Sequence, residues 1–103
     1  MRTRITEDAL AQLAIDVLRG WTVQGCEFTA YDVTKAVRKR QPDLDIPHEP
    51  VRICVHLYMG ALLSEGLYQA SMKRFGGGRA AILYQAQPRD SWRDSIPLLS
   101  LDG

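Results

Sequence analysis

Three consecutive glycines, Gly76-Gly77-Gly78, separate two strand-like runs, Leu67 to Phe75 and Arg79 to Gln85. Glycine reaches backbone angles closed to other residues, so a glycine tip between two such runs predicts an antiparallel hairpin. Ahead of Glu65-Gly66 the apolar spacing is helical instead, which divides the chain into a helical part and a terminal hairpin, an α+β arrangement. With 103 residues and 46% hydrophobic content, the chain suits one small domain with a core of its own and is too short for two comfortable ones. We expect that domain to span residues 1–87, with a separate tail over 88–103.

Three helices are expected before the hairpin. In the first, Leu10, Leu13, Ala14, Val17, Leu18 and Trp21 fall on one stripe. Thr6 is placed to cap it, Glu7 and Asp8 complement its dipole, and Ile5 is placed to staple onto Leu10. Gly20 and Gly25 are rival stops. The second helix is marked by Thr29-Ala30-Tyr31-Asp32, with Thr and Asp at the two positions of a capping box and Phe28 and Val33 at the staple positions. It buries Val33, Ala36 and Val37 and ends before Pro42. Residues 42–47 are too short and too proline-bounded for another element and read as a turn with Leu44 and Ile46 tucked inward. Pro47 and Pro50 then sit in the first turn of the third helix, where proline is tolerated, and Val51, Val55, Tyr58, Met59 and Leu62 form its inward stripe.

A net charge of +1 says little by itself; the distribution of charge says more. Residues 1–34 carry three basic and five acidic side chains, whereas residues 35–79 carry eight basic and four acidic ones. The middle of the chain is therefore the basic part, and that polarity permits nucleic-acid binding without demanding it. Nothing approaches the roughly 20 apolar residues of a bilayer span, and no signal segment is evident, so a cytoplasmic protein without a membrane partner is expected. Cys26 and Cys54 have no paired spacing and read as reduced, partly buried thiols. The tail holds Pro88 and Pro97 with Trp92, Ile96, Leu98, Leu99 and Leu101 interspersed. It is expected to be flexible, to pack on helix one or a dimer mate, or to dock on a protein partner.

Catalytic readings find no support. No Gly-Lys-Ser/Thr follows the triple glycine, no Gly-x-Gly-x-x-Gly follows a strand, and His48 and His56 lack the Glu-x-x-His arrangement of a helical zinc site. Neither an enzyme nor a cofactor or metal is expected.

The element order, together with Phe28-Thr29-Ala30-Tyr31-Asp32-Val33 and the run from Val55 to Leu67 that closes on Gly66-Leu67, resembles the winged helix-turn-helix superfamily of DNA-binding proteins. The resemblance spans about residues 5–85. It departs from the pattern in a third helix with few basic residues, opened by two prolines and Glu49. The fold it implies is three helices with a C-terminal β-hairpin wing. The function it implies is sequence-specific binding of double-stranded DNA by a small transcriptional regulator or DNA-maintenance accessory factor, with a homodimer on two half-sites. His48, Glu49, Arg52 and His56 would be the base readers, and Lys35, Arg38, Lys39, Lys73, Arg74 and Arg79 the backbone contacts. A winged-helix protein-interaction module without DNA contact is the alternative, and RNA binding on the same basic surface a third reading.

Overall fold

Thr6 ends an extended N-terminal segment and starts the first helix: its side chain accepts from the backbone N–H of Ala9 at 3.2 Å, and Glu7 and Asp8 occupy the first turn. The computed structural model describes residues 3–88, and over these the helix, α1, runs from Glu7 to Gln24. Gly25 is the stop. Its φ of 72° turns the chain left-handed, so that its own N–H reaches Thr22 O and the N–H of Cys26 reaches Trp21 O at 3.0 Å. Gly20 lies inside the helix. The expected stripe is buried at Leu10, Ala14, Val17 and Leu18, with Leu13 and Trp21 half-buried beside it.

The capping box forms as expected, and α2 spans Ala30–Arg40. Asp32 Oδ2 accepts from the N–H of Thr29 at 2.9 Å, while the N–H of Asp32 donates to Thr29 Oγ1 at 3.4 Å. Thr29 is itself buried, so the box also satisfies polar groups that water does not reach. Gln41, just ahead of Pro42, caps the far end.

One expectation needs correction. Residues 42–47 contain an element after all: β2 (Leu44–Asp45) pairs in parallel with β1 (Thr3–Arg4), Thr3 opposite Leu44 and Arg4 opposite Asp45. Its partner lies some forty residues earlier, and pairing at that separation leaves no local periodicity to read. Leu44 and Ile46 do tuck inward, Ile46 completely.

The third helix, α3, spans His48–Ser64; Pro50 lies in its first turn as expected, where no intrahelical donor is needed, whereas Pro47, expected there too, stands just outside as the extended cap. Val51, Val55 and Met59 are fully buried, and Tyr58 and Leu62 flank them. Gly66, at φ 75°, then swings the chain into β3 (Tyr68–Arg74), which pairs antiparallel with β4 (Ala80–Ala86) from Tyr68 opposite Ala86 to Arg74 opposite Ala80. A bond from Phe75 N–H to Arg79 O at 2.8 Å closes the tip, and Gly77 and Gly78 both sit at φ 79°.

Phe28 ties hairpin to helices. Its backbone exchanges two hydrogen bonds with Tyr84, at 3.0 and 2.8 Å, and so adds a one-residue antiparallel bridge to β4. Its ring contacts those of Trp21, Tyr68 and Tyr84 with centroids 5.5 to 6.1 Å apart. Beyond this base every residue from 69 to 80 is exposed. The fold is α+β, a winged helix with three helices and a C-terminal β-hairpin wing. Among the described residues no helix is long and apolar enough to cross a membrane. The expectations for the tail beyond Pro88 concern residues 89–103, which lie outside the described residues.

Candidate nucleic-acid interface

Because α3 buries Val51, Val55 and Met59, its opposite side is turned outward, and Glu49, Arg52, Ile53, His56 and Leu57 are all exposed there. Three of the four expected base readers lie on this surface. Glu49 and Arg52 stand one turn apart and pair: Arg52 Nε donates to Glu49 Oε2 at 3.1 Å, and a terminal guanidinium nitrogen donates to the other carboxylate oxygen. The hydrogen bond from Arg52 holds the Glu49 carboxyl below its usual range, and in return Glu49 raises Arg52. Both groups face solvent, so the pair adds little to the stability of the fold. Its consequence is positional, since the planar fork that would read guanine is already held by a carboxylate.

His48, the fourth expected reader, has part of its bonding capacity committed inside the protein. Its Nδ1 lies 2.7 Å from Thr34 Oγ1, and its ring stacks on Tyr31 with centroids 4.2 Å apart and planes 7° from parallel. The Thr34 hydroxyl is also 3.1 Å from the carbonyl of Ala30, and when it donates there, Nδ1–H of His48 is the donor to Oγ1. Burial pushes the His48 pKa below its ordinary value; Glu49 opposes this, and Arg38 and Arg52 reinforce it.

Tyr31 continues toward the wing. Phe75 meets its ring edge-on, with centroids 6.3 Å apart and planes at 88°, and Lys73 Nζ lies 5.5 Å from the centre of the Phe75 ring. A line of contacts thus joins the wing tip to the first residue of α3 through the first turn of α2. Sequence reasoning missed Tyr31, Thr34 and Phe75 as site residues. In the sequence Tyr31 belongs to the cap motif and Phe75 to the strand run; an aromatic beside a glycine tip is the one available signal.

Two hollows flank this line. One, of about 240 Å³, lies between α3 and the inner face of the wing and brings together His48, Arg52 and His56 with Tyr31, Met72 and Ile82. The other, of about 360 Å³, opens at the start of α2, where Lys35 meets Lys73 and Arg79 of the wing around Thr29, Asp32 and Phe75. Arg38, Lys39, Glu49 and Arg74 line neither hollow. Arg38 instead donates from Nε to the carbonyl of Ile46 at 3.0 Å, tying the end of α2 to the turn that follows. Among the described residues no ion pair engages Lys35, Lys39, Lys73, Arg74 or Arg79, and no cluster of three metal-ligating side chains occurs.

No family model matches the chain, and no curated protein matches it. Among solved structures, it is similar to the circadian clock associated protein Pex from Anabaena, with 17% sequence identity over 97% of this chain and 79% of that one and a TM-score of 0.46. It is also similar to Pex from Synechococcus sp. strain PCC 7942 (Anacystis nidulans R2), with 16% identity over 96% of this chain and 83% of that one and a TM-score of 0.45.

Proposed function

We propose that this winged helix binds double-stranded DNA sequence-specifically, as a small transcriptional regulator or DNA-maintenance accessory factor without catalytic activity. The observation that carries the reading is the hollow at the start of α2, where three cations from two separate elements, Lys35, Lys73 and Arg79, converge; the carboxylate that lines it, Asp32, is held by Thr29 in the capping box, and among the described residues none is paired to the three cations. Like charges are brought together at a cost unless an anion joins them, and a helix N-terminus adds a positive dipole end. A backbone phosphate suits that place. With the backbone so anchored, the outward side of α3 enters the major groove, Arg52 exchanges Glu49 for a base edge, and the glycine tip lies along the backbone or minor groove. One module has limited contact area, so two copies reading half-sites about 34–36 Å apart are the functional unit.

The test is a titration with random-sequence duplex DNA at two salt concentrations. Affinity should fall steeply with salt, with a log–log slope of about 0.9 per phosphate neutralised. No binding at low salt would remove the DNA reading and leave the protein-interaction module in its place.

A further inference from the structure

Tyr84 is only 3% exposed, yet its hydroxyl makes no hydrogen bond among the described residues, whereas the other buried tyrosine, Tyr68, donates to the carbonyl of Cys26 at 2.9 Å. A buried phenol ordinarily finds a partner. No buried side-chain oxygen among the described residues is left unpaired, so the Tyr84 hydroxyl is one that water still reaches, and the opening that Tyr84 lines is the hollow between α3 and the wing. Arg52 lines the same hollow, and its charge acts on the Tyr84 phenol against the upward push of burial. Glu49 engages Nε and one terminal nitrogen of Arg52 from outside the hollow; the other terminal nitrogen has no partner among the described residues. His56 stands one turn further along α3 and lines the space as well, and no carboxylate does.

The facing wall has the opposite character. Met72 and Ile82 are cross-strand partners on the wing and stand 62% and 39% exposed, with the small side chains of Ala80 and Ala81 beside them. Unused donors on one side and bare aliphatic surface on the other suit a ligand with an anionic group at one end and an apolar body at the other. The space, about 240 Å³, exceeds the roughly 150 Å³ in which an apolar cavity takes up a benzene molecule. A DNA phosphate would meet the donors and leave the aliphatic wall bare. We propose that this hollow binds a small organic carboxylate, whose oxygens accept from the Tyr84 hydroxyl and the Arg52 fork and whose apolar body lies against Met72 and Ile82. Arg52 cannot serve this ligand and a base edge at once, so the bound acid releases DNA; that consequence alone rests on the DNA-binding reading.

The test is calorimetric titration of the DNA-free protein with sodium hexanoate and sodium benzoate, against sodium acetate and 1-hexanol. Hexanoate and benzoate should bind about tenfold or more tightly than either control, since each buried methylene adds about fourfold and the alcohol lacks the charge. Tyr84→Phe deletes only a hydroxyl that no described group uses; it should keep the parental melt and weaken binding roughly ten- to a hundredfold, the worth of a hydrogen bond to a charged group. Met72→Glu, at an exposed position of the wing, should abolish binding, and it decides the matter should Tyr84→Phe fail to fold. No heat from the parent at millimolar hexanoate or benzoate, or parental affinity in Met72→Glu, would overturn the site. Acetate or hexanol binding as tightly as hexanoate would overturn the two-ended ligand. At matched ionic strength hexanoate should displace a bound duplex and acetate should not; a duplex that stays bound while hexanoate occupies the protein would overturn the release from DNA. Hexanoate binding by a protein that takes up no duplex would remove the DNA reading and leave this site standing.

Discussion

Arg52 and His48 show how a residue's neighbours set its role. Arg52 is exposed but not idle, because Glu49 holds its fork in the free protein. Arg52→Ala is expected to weaken binding to the preferred duplex roughly ten- to a hundredfold and to relax base preference, the usual effect of removing a bidentate hydrogen bond to a base. A mobility-shift series over variant sites checks this, and equal weakening on every sequence would assign Arg52 to the backbone instead. His48 bears on stability. Its pKa in the folded protein is below the ordinary value, so the unfolded chain binds the proton more readily. The contribution of neutral His48 is accordingly complete above about pH 6.5 and is lost as pH falls through the folded-state value. A thermal melt series should show a decline in Tm on acidification that His48→Asn flattens in that window, and an unchanged slope would place the titrating group elsewhere. The Arg52–Glu49 spacing was visible in the sequence; the Thr34 and Tyr31 partners of His48 were not, because they come from another helix.

At the scale of elements, the start of α2 and the wing make separable predictions. Thr29 anchors the capping box and is buried with it, so Thr29→Ala should cost about 1–2 kcal/mol in a urea titration, toward the upper part of the range for removed caps. Ser at the same position should recover most of the loss. Neutralising Lys73, Arg74 and Arg79 together should instead leave the melt nearly unchanged, since all three are exposed and engage in no ion pair among the described residues. Binding should weaken on every duplex, and the salt slope should flatten by about 0.9 for each phosphate that these cations no longer neutralise. A parental slope would show that the hairpin does not touch DNA. These elements were legible because their signals are local: a cap two to four residues from its partner, a glycine tip between extended runs. The β1–β2 pair was not, because its two strands meet only after α1 and α2 have packed.

For the molecule as a whole, Phe28 is the joint. It is fully buried, contacts three aromatic rings, and bonds through its backbone to Tyr84, so helices and wing share one core through it. Phe28→Ala should cost about 3–5 kcal/mol, a large part of the total stability of a small domain. Urea unfolding followed by circular dichroism and by tryptophan fluorescence, with Trp21 against the Phe28 ring, measures that cost. Fluorescence change ahead of helix unfolding would indicate that the wing detaches first, and coincident transitions that the joint holds the domain together as one unit.

What the sequence determined by itself were the features that neighbouring residues decide. The stripe of α1 and its capping Thr6, the capping box at Thr29, the proline-tolerant start of α3 and the glycine hairpin all rest on spacings of a few residues, and each is where it was expected. The tertiary structure decided which of two plausible stops ended α1, that Leu44 and Asp45 pair with the N-terminal strand, and how the candidate interface is assembled. It stacked His48 on Tyr31, set Phe75 against Tyr31, and drew Lys35 to Lys73 and Arg79. The physical reason is distance along the chain. Helix and turn signals act through covalent neighbours and are written in the local sequence, whereas a surface built from α2, α3 and the wing exists only once the shared core around Phe28 brings those elements to rest against one another.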